Sequence, residues 1–78
     1  MLNEYRGDKP VYHFDLYRMH DVDELREIGL DEYLARDGVV VIEWGEKATG
    51  VLPRPHYLVE IRLVGDQDRE INISLVQP

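Results

Sequence analysis

Hydrophobic and polar positions alternate in two stretches near the start of the chain. Residues 2–5 predict a short strand, and residues 11–17 predict a longer one. Every second position of the longer stretch is apolar: Tyr12, Phe14 and Leu16. The positions between them are polar and would face the other way: His13, Asp15 and Tyr17. Because Gly7 and Asp8 favour a turn between the two stretches, we expect an antiparallel hairpin.

A short helical pattern follows. Asp21 is a suitable N-cap, and Glu24 three residues later completes a capping box. The apolar positions of this segment fall on one helical stripe: Val22, Leu25 and Ile28. Gly29 can adopt the left-handed conformation that ends a helix. Asp31 is expected to cap a second short turn over residues 32–36.

The next apolar segment, Val39–Ile42, does not alternate. A run of this kind is typical of a strand inside a parallel sheet that is covered on both faces. Alternation returns in residues 57–64 and 71–75, which predict a second hairpin at the edge of the sheet. The fold class is therefore α/β, with a mixed sheet, one short helical segment and a C-terminal β-hairpin.

The strand at Val39–Ile42 needs cover that the short helical segment hardly supplies. A partner chain, a second copy of this chain or an additional N-terminal segment would provide it. Alternatively, Tyr33, Trp44 and the loop after Trp44 are sufficient cover.

Composition narrows the classes of function. The 78 residues fit one domain with a formal net charge of −7, so no direct nucleic-acid binding is expected. There is no cysteine and no segment with the pattern of a signal peptide, which suits a cytoplasmic protein. The longest apolar run is too short to span a membrane.

Two carboxylates are the main candidates for chemistry. Glu43 follows the apolar strand directly, as the acid of a Walker B strand does. At that position it would hold a magnesium-bound water or orient the attacking water, although such an acid can also be merely solvated. Asp15 lies on the polar face of its strand and needs a partner, either a cation or a structural contact with Tyr or Arg18.

Other chemistry has less support from the residues. His13, Asp15 and His20 are a possible metal-binding set. Trp44 either covers the end of the sheet or offers a flat surface near a ligand. Nucleophilic catalysis is not indicated, because the chain has no cysteine and no Gly-x-Ser-x-Gly sequence.

Three segments together resemble the TsaE/YjeE family of P-loop ATPases, specifically its C-terminal half. They are the His-Phe-Asp-Leu-Tyr-Arg sequence at 13–18, Glu-Ile-Gly-Leu-Asp-Glu-Tyr at 27–33, and Asp-Gly-Val-Val-Val-Ile-Glu-Trp at 37–44. The similarity runs in order through essentially the whole chain. It implies a partial P-loop NTPase-like fold, so that residues 1–78 form one incomplete TsaE-like ATPase domain.

The resemblance also implies a function. The family hydrolyses ATP with magnesium and supports threonylcarbamoyladenosine formation on tRNA, together with TsaB and TsaD partners. By this resemblance Glu43 and Asp15 are the catalytic acids and hold Mg²⁺ through water. Trp44, Tyr17 and Arg18 would lie near the nucleotide.

One departure from the family pattern limits this expectation. No Gly-x-x-x-x-Gly-Lys-Ser/Thr sequence, the Walker A loop that holds the phosphates, occurs in these 78 residues. We therefore predict that the chain by itself does not hydrolyse ATP, and that a complementing chain or self-association is needed. The alternative is a non-enzymatic interaction module that docks on TsaB–TsaD-like partners.

Overall fold

The computed structural model describes residues 2–78, which form five strands and three short helices. They follow one another in this order: β1 (Leu2–Tyr5), β2 (Val11–Asp15), α1 (Asp23–Ile28), α2 (Leu30–Leu34), β3 (Val39–Glu43), a 3₁₀ helix (Gly45–Ala48), β4 (His56–Val64) and β5 (Asp68–Val76).

The first three strands form one mixed sheet in the order β1-β2-β3. β1 and β2 are antiparallel, which confirms the predicted N-terminal hairpin. β2 and β3 are parallel, in a register that runs from the Val11–Val39 pair to the Asp15–Glu43 pair. Two neighbouring parallel strands need a long crossover, and α1 and α2 provide it.

The predicted helical segment consists of two helices separated by Gly29. Gly29 has φ 87°, a left-handed conformation that ends α1. The same residue is the N-cap of α2. The prediction that Asp31 caps the second turn was wrong, because Leu30 is already helical. The prediction that Asp21 is the N-cap of α1 was also wrong, because Val22 is the N-cap and makes no side-chain capping hydrogen bond. The Asp21 carboxylate accepts a hydrogen bond from the Asp23 amide at 2.9 Å, whereas the Glu24 carboxylate accepts from the His20 amide at 3.4 Å.

The core lies on one face of the three-stranded sheet. Its largest fully buried side chains are Phe14 and Leu16, as the alternation in β2 predicted. The remaining buried apolar residues come from β2, the helices and the connecting segments: Tyr12, Met19, Leu25, Leu30 and Ala48. Tyr33 of α2 completes this layer, since its ring centroid is 5.0 Å from that of Tyr12 and 5.5 Å from that of Phe14.

The opposite face of the sheet is open in the described residues. Val39 and Val41 of β3 remain 47% and 44% exposed. Tyr33 and Leu52, from the loop after Trp44, both pack on the buried face, and Trp44 itself is exposed. These residues therefore do not supply the second layer that the apolar sequence of β3 predicts.

The C-terminal hairpin forms a sheet of its own. β4 and β5 pair with each other over their full length, from His56–Val76 to Val64–Asp68. The prediction that this hairpin lies at the edge of the main sheet was wrong, because it pairs with no other strand among the described residues. Most of its apolar side chains share one exposed face: Tyr57, Val59, Ile61, Leu63, Ile71, Ile73 and Leu75.

The helices are too short to cross a membrane. None of those within residues 2–78 combines the length and the apolar character that a bilayer-spanning helix requires.

Candidate functional site

The carboxyl ends of β2 and β3 bring the two candidate acids together. Asp15 and Glu43 are register partners on adjacent parallel strands, at the last position of each strand. The Leu16 amide donates a hydrogen bond to the Glu43 carbonyl oxygen at 3.1 Å, which continues the pairing one residue further. The backbone therefore fixes both acids at the same end of the sheet, where ligands bind in open α/β sheets.

Glu43 has a side-chain partner on β2. The His13 Nε2 atom lies 2.5 Å from the Glu43 Oε1 atom. The His13 side chain is 22% exposed and the Glu43 side chain 54% exposed, so the histidine is the better-anchored member of the pair. Both side chains lie on the open face of the sheet, because His13 pairs with Val41, two positions before Glu43.

Asp15 has a backbone partner. Its Oδ1 atom accepts a hydrogen bond from the Tyr17 amide at 3.0 Å, the local contact that starts an Asx turn. Of the two structural partners considered for this acid, the contact is with Tyr17 and not with Arg18. Tyr17 itself is exposed beside the acidic edge.

Trp44 and Tyr17 form an aromatic pair next to the two acids. Their ring centroids are 5.1 Å apart. Trp44 has φ 61°, a left-handed conformation that is uncommon for a bulky residue and turns the chain directly after Glu43. Lys47 of the 3₁₀ helix holds this arrangement by donating a 2.6 Å hydrogen bond from its ammonium group to the Tyr17 carbonyl oxygen. Both aromatic rings remain exposed.

The remaining predicted residues are not part of this cluster. Arg18 is exposed and makes no ion pair within residues 2–78. The metal set of His13, Asp15 and His20 is contradicted, because the described chain contains no group of three His, Cys, Asp or Glu side chains that could hold a metal ion. His20 is exposed in the segment before α1.

Sequence reasoning did not identify two residues of the site. His13 was considered only as part of the family motif and of the metal set, although its place on the polar face beside Asp15 is a usable signal. Lys47 contacts Tyr17 across thirty positions of the chain. No local pattern indicates that contact, because the turn at Trp44 creates it.

The residues present fit a magnesium ion better than they fit a whole nucleotide. Mg²⁺ prefers carboxylate oxygens and water, and it is commonly bound through one or two carboxylates plus substrate phosphates. Asp15 and Glu43 are two carboxylates at the same end of the sheet. A triphosphate also needs backbone amides and a lysine of the Walker A type, a sequence absent from these 78 residues.

Comparisons with known proteins agree on one family. Residues 1–71 match the family described as threonylcarbamoyl adenosine biosynthesis protein TsaE. The tRNA threonylcarbamoyladenosine biosynthesis protein TsaE of Haemophilus influenzae is 42% identical over 77 residues, which cover 97% of this chain and 47% of that protein. The protein of the same name from Bacillus subtilis is 39% identical, with 97% of this chain and 48% of that protein covered.

The fold of the chain is also similar to that of a solved structure. The crystal structure of Bacillus subtilis YdiB matches with a TM-score of 0.78 and 37% identity, over 96% of this chain and 46% of that one. The chain thus spans about half the length of the relatives it matches. By these matches of sequence and structure, the chain belongs to the TsaE family.

Proposed function

We propose that this chain supplies the acidic side of the nucleotide site of a TsaE-type ATPase that acts in threonylcarbamoyladenosine formation on tRNA. The observation that carries the proposal is the Asp15–Glu43 register pair at the carboxyl ends of two parallel strands. Such an edge is where α/β proteins bind nucleotides. Relatives named TsaE from Haemophilus influenzae, Bacillus subtilis and Treponema pallidum support the pathway.

Each residue of the site has a proposed role. Glu43 and Asp15 hold Mg²⁺ through its water molecules, and Glu43 orients the water that attacks the γ-phosphate. When bound, the magnesium ion supplies positive charge that neutralises the phosphates. Trp44 and Tyr17 offer exposed aromatic surface next to the nucleotide, whereas Arg18 lies outside their cluster and receives no role.

The phosphate-binding function has to come from outside these 78 residues. The chain spans about half of its relatives and has no Walker A sequence. The open face of β3, with Val39 and Val41 exposed, leaves room for the complementing part of the domain. The assembled protein would act in the cytoplasm, with TsaB–TsaD-like proteins as its partners.

A complementation experiment tests the proposal. The chain is mixed with the part of the Haemophilus influenzae relative that it does not match, and ATP binding and hydrolysis are measured with Mg²⁺. A fusion of the two parts serves as a second preparation, because linkage raises their effective concentration. Trp44 is the only tryptophan of the chain, so its fluorescence reports ATP binding.

We expect no turnover by the chain alone and turnover by the mixture or the fusion. Glu43→Gln should lower kcat at least about 100-fold, as loss of a residue that acts in the transition state does. Glu46→Gln, three positions away and exposed, is the matched control and should keep the rate. ATP hydrolysis by the chain alone, or an active Glu43→Gln fusion, would contradict the proposal.

The non-enzymatic interaction module is not favoured by the relatives. It would require TsaB–TsaD-like proteins to be captured equally well without ATP and without the complementing part. A pull-down with and without nucleotide separates the two functions.

A further inference from the structure

The contact between His13 and Glu43 has no counterpart at Asp15. The Asp15 carboxylate is held by a backbone amide within its own turn, at 3.0 Å from the Tyr17 nitrogen. The Glu43 side chain is longer, is more than half exposed, and lies 2.5 Å from the His13 ring nitrogen. Strand pairing fixes the position of the Glu43 backbone, but it does not determine the direction of the Glu43 carboxylate.

We propose that His13 is a positioning residue that fixes the direction of the Glu43 carboxylate on the open face of the sheet, and that this ordering favours the binding of a divalent cation by Glu43. The cation role rests on the proposed function, whereas the contact itself does not.

Three observations support this role. His13 lies on β2 between Asn3 of β1 and Val41 of β3, so strands on both sides restrain its backbone. Its side chain is mostly buried, which limits the rotamers that it can adopt. To donate to Glu43, the ring must carry a proton on Nε2.

Ordering of the Glu43 side chain by His13 would strengthen metal binding. A glutamate side chain has three rotatable bonds, and ordering it costs conformational entropy. A neighbour that orders it before the cation arrives removes that cost from binding. Partners that orient metal ligands in this way typically change metal affinity by about 10–100-fold when they are removed.

Nuclear magnetic resonance on the isotope-labelled 78-residue chain tests the contact without ATP. Long-range ¹H–¹⁵N spectra should show His13 protonated on Nε2. Glu43→Gln should move the ring signals of His13 and leave those of His20 and His56 in place. Glu46→Gln is the matched control and should move none of them.

Manganese titration tests the positioning role, with Mn²⁺ as the probe. Paramagnetic broadening should centre on Asp15 and Glu43. His13→Leu should weaken Mn²⁺ binding about 10-fold, while His13→Gln, which retains an N–H donor, should stay within about 2-fold of the original chain. Unchanged amide spectra outside β2 and β3 would show that both variants remain folded.

The outcomes separate the two ideas. The positioning role would be overturned if His13→Leu bound Mn²⁺ as tightly as the original chain, or if Glu43→Gln left the His13 ring signals unchanged. Neither result would contradict the proposed ATPase. Broadening that does not involve Asp15 and Glu43 would overturn both the positioning role and the magnesium site. The complementation experiment can fail without affecting the His13–Glu43 contact.

Discussion

The two sheets of this molecule have similar strand patterns and very different surroundings. On the covered face of the three-stranded sheet, Phe14 of β2 and Leu16, which follows β2, are fully buried in the core. In the β4–β5 hairpin, the equivalent apolar positions are exposed, with Tyr57 at 73% and Ile73 at 66%. Alternating apolar and polar residues therefore form strands in both regions, but the apolar face is buried in only one of them.

The difference shows what pairing alone can achieve. Backbone hydrogen bonds hold β4 and β5 together over nine pairs, yet an isolated two-stranded hairpin is at best marginally stable in water. Stability comes mainly from apolar area removed from water. The main sheet achieves this on one face, so we expect the free energy of unfolding to depend on that face and hardly at all on the hairpin.

The largest expected effect is at Phe14. Phe14→Ala removes a fully buried ring and should lower the free energy of unfolding by about 3–5 kcal/mol. A domain of this size rarely has more than about 3–5 kcal/mol of stability, so the variant should be largely unfolded at 25 °C. Circular dichroism and the dispersion of amide signals provide the measurement.

Val41→Ala is the matched control within the same sheet. Val41 lies on the open face of β3 and is 44% exposed, so the change should cost less than about 1 kcal/mol. If Val41→Ala is as damaging as Phe14→Ala, the second face of the sheet is covered in solution, and the contrast between the two faces fails.

A smaller effect is expected at Gly38, where β2 and β3 begin to pair. A Cβ atom there would lie 2.7 Å from the Pro10 carbonyl oxygen and 3.0 Å from the Tyr12 ring. Gly38→Ala must therefore displace backbone, because the Val39 amide donates to the same Pro10 oxygen at 2.9 Å. The expected cost is about 1–3 kcal/mol, measured by urea denaturation.

Gly50→Ala is the control for that substitution. A Cβ atom added at Gly50 would meet nothing within 4 Å beyond its chain neighbours, so the replacement should change stability by less than about 0.5 kcal/mol. Equal stability of the two alanine variants would show that the junction of β2 and β3 is looser than the structure indicates.

Sequence reasoning succeeded where local pattern and packing agree. The alternation in β2 identified the buried face, and the position of Glu43 after an apolar run placed it correctly at the carboxyl end of β3. The family resemblance implied that Asp15 and Glu43 serve one site, but it did not predict that they are register partners on adjacent strands. Local periodicity does not determine which strands are neighbours.

The wrong or missing predictions concern contacts between residues that are distant in the sequence. The hairpin was assigned to the edge of the main sheet because its alternation shows an apolar face but not what lies against it. The contacts of His13 with Glu43 and of Lys47 with Tyr17 depend on strand register and on the left-handed turn at Trp44, which no short window of sequence reveals.

The smallest expected effect tests the hairpin directly. Ile73 is 66% exposed and faces Val59 across the strand pair, so Ile73→Thr keeps a β-branched residue while removing apolar surface. The free energy of unfolding should change by less than about 0.5 kcal/mol, because little buried area is lost. A loss above about 1 kcal/mol that grows with protein concentration would mean that a second copy covers the hairpin face, since only association makes stability depend on concentration. In that case each sheet would have a buried apolar face. The face of the three-stranded sheet would be buried within the chain, and the face of the hairpin would be buried between two chains.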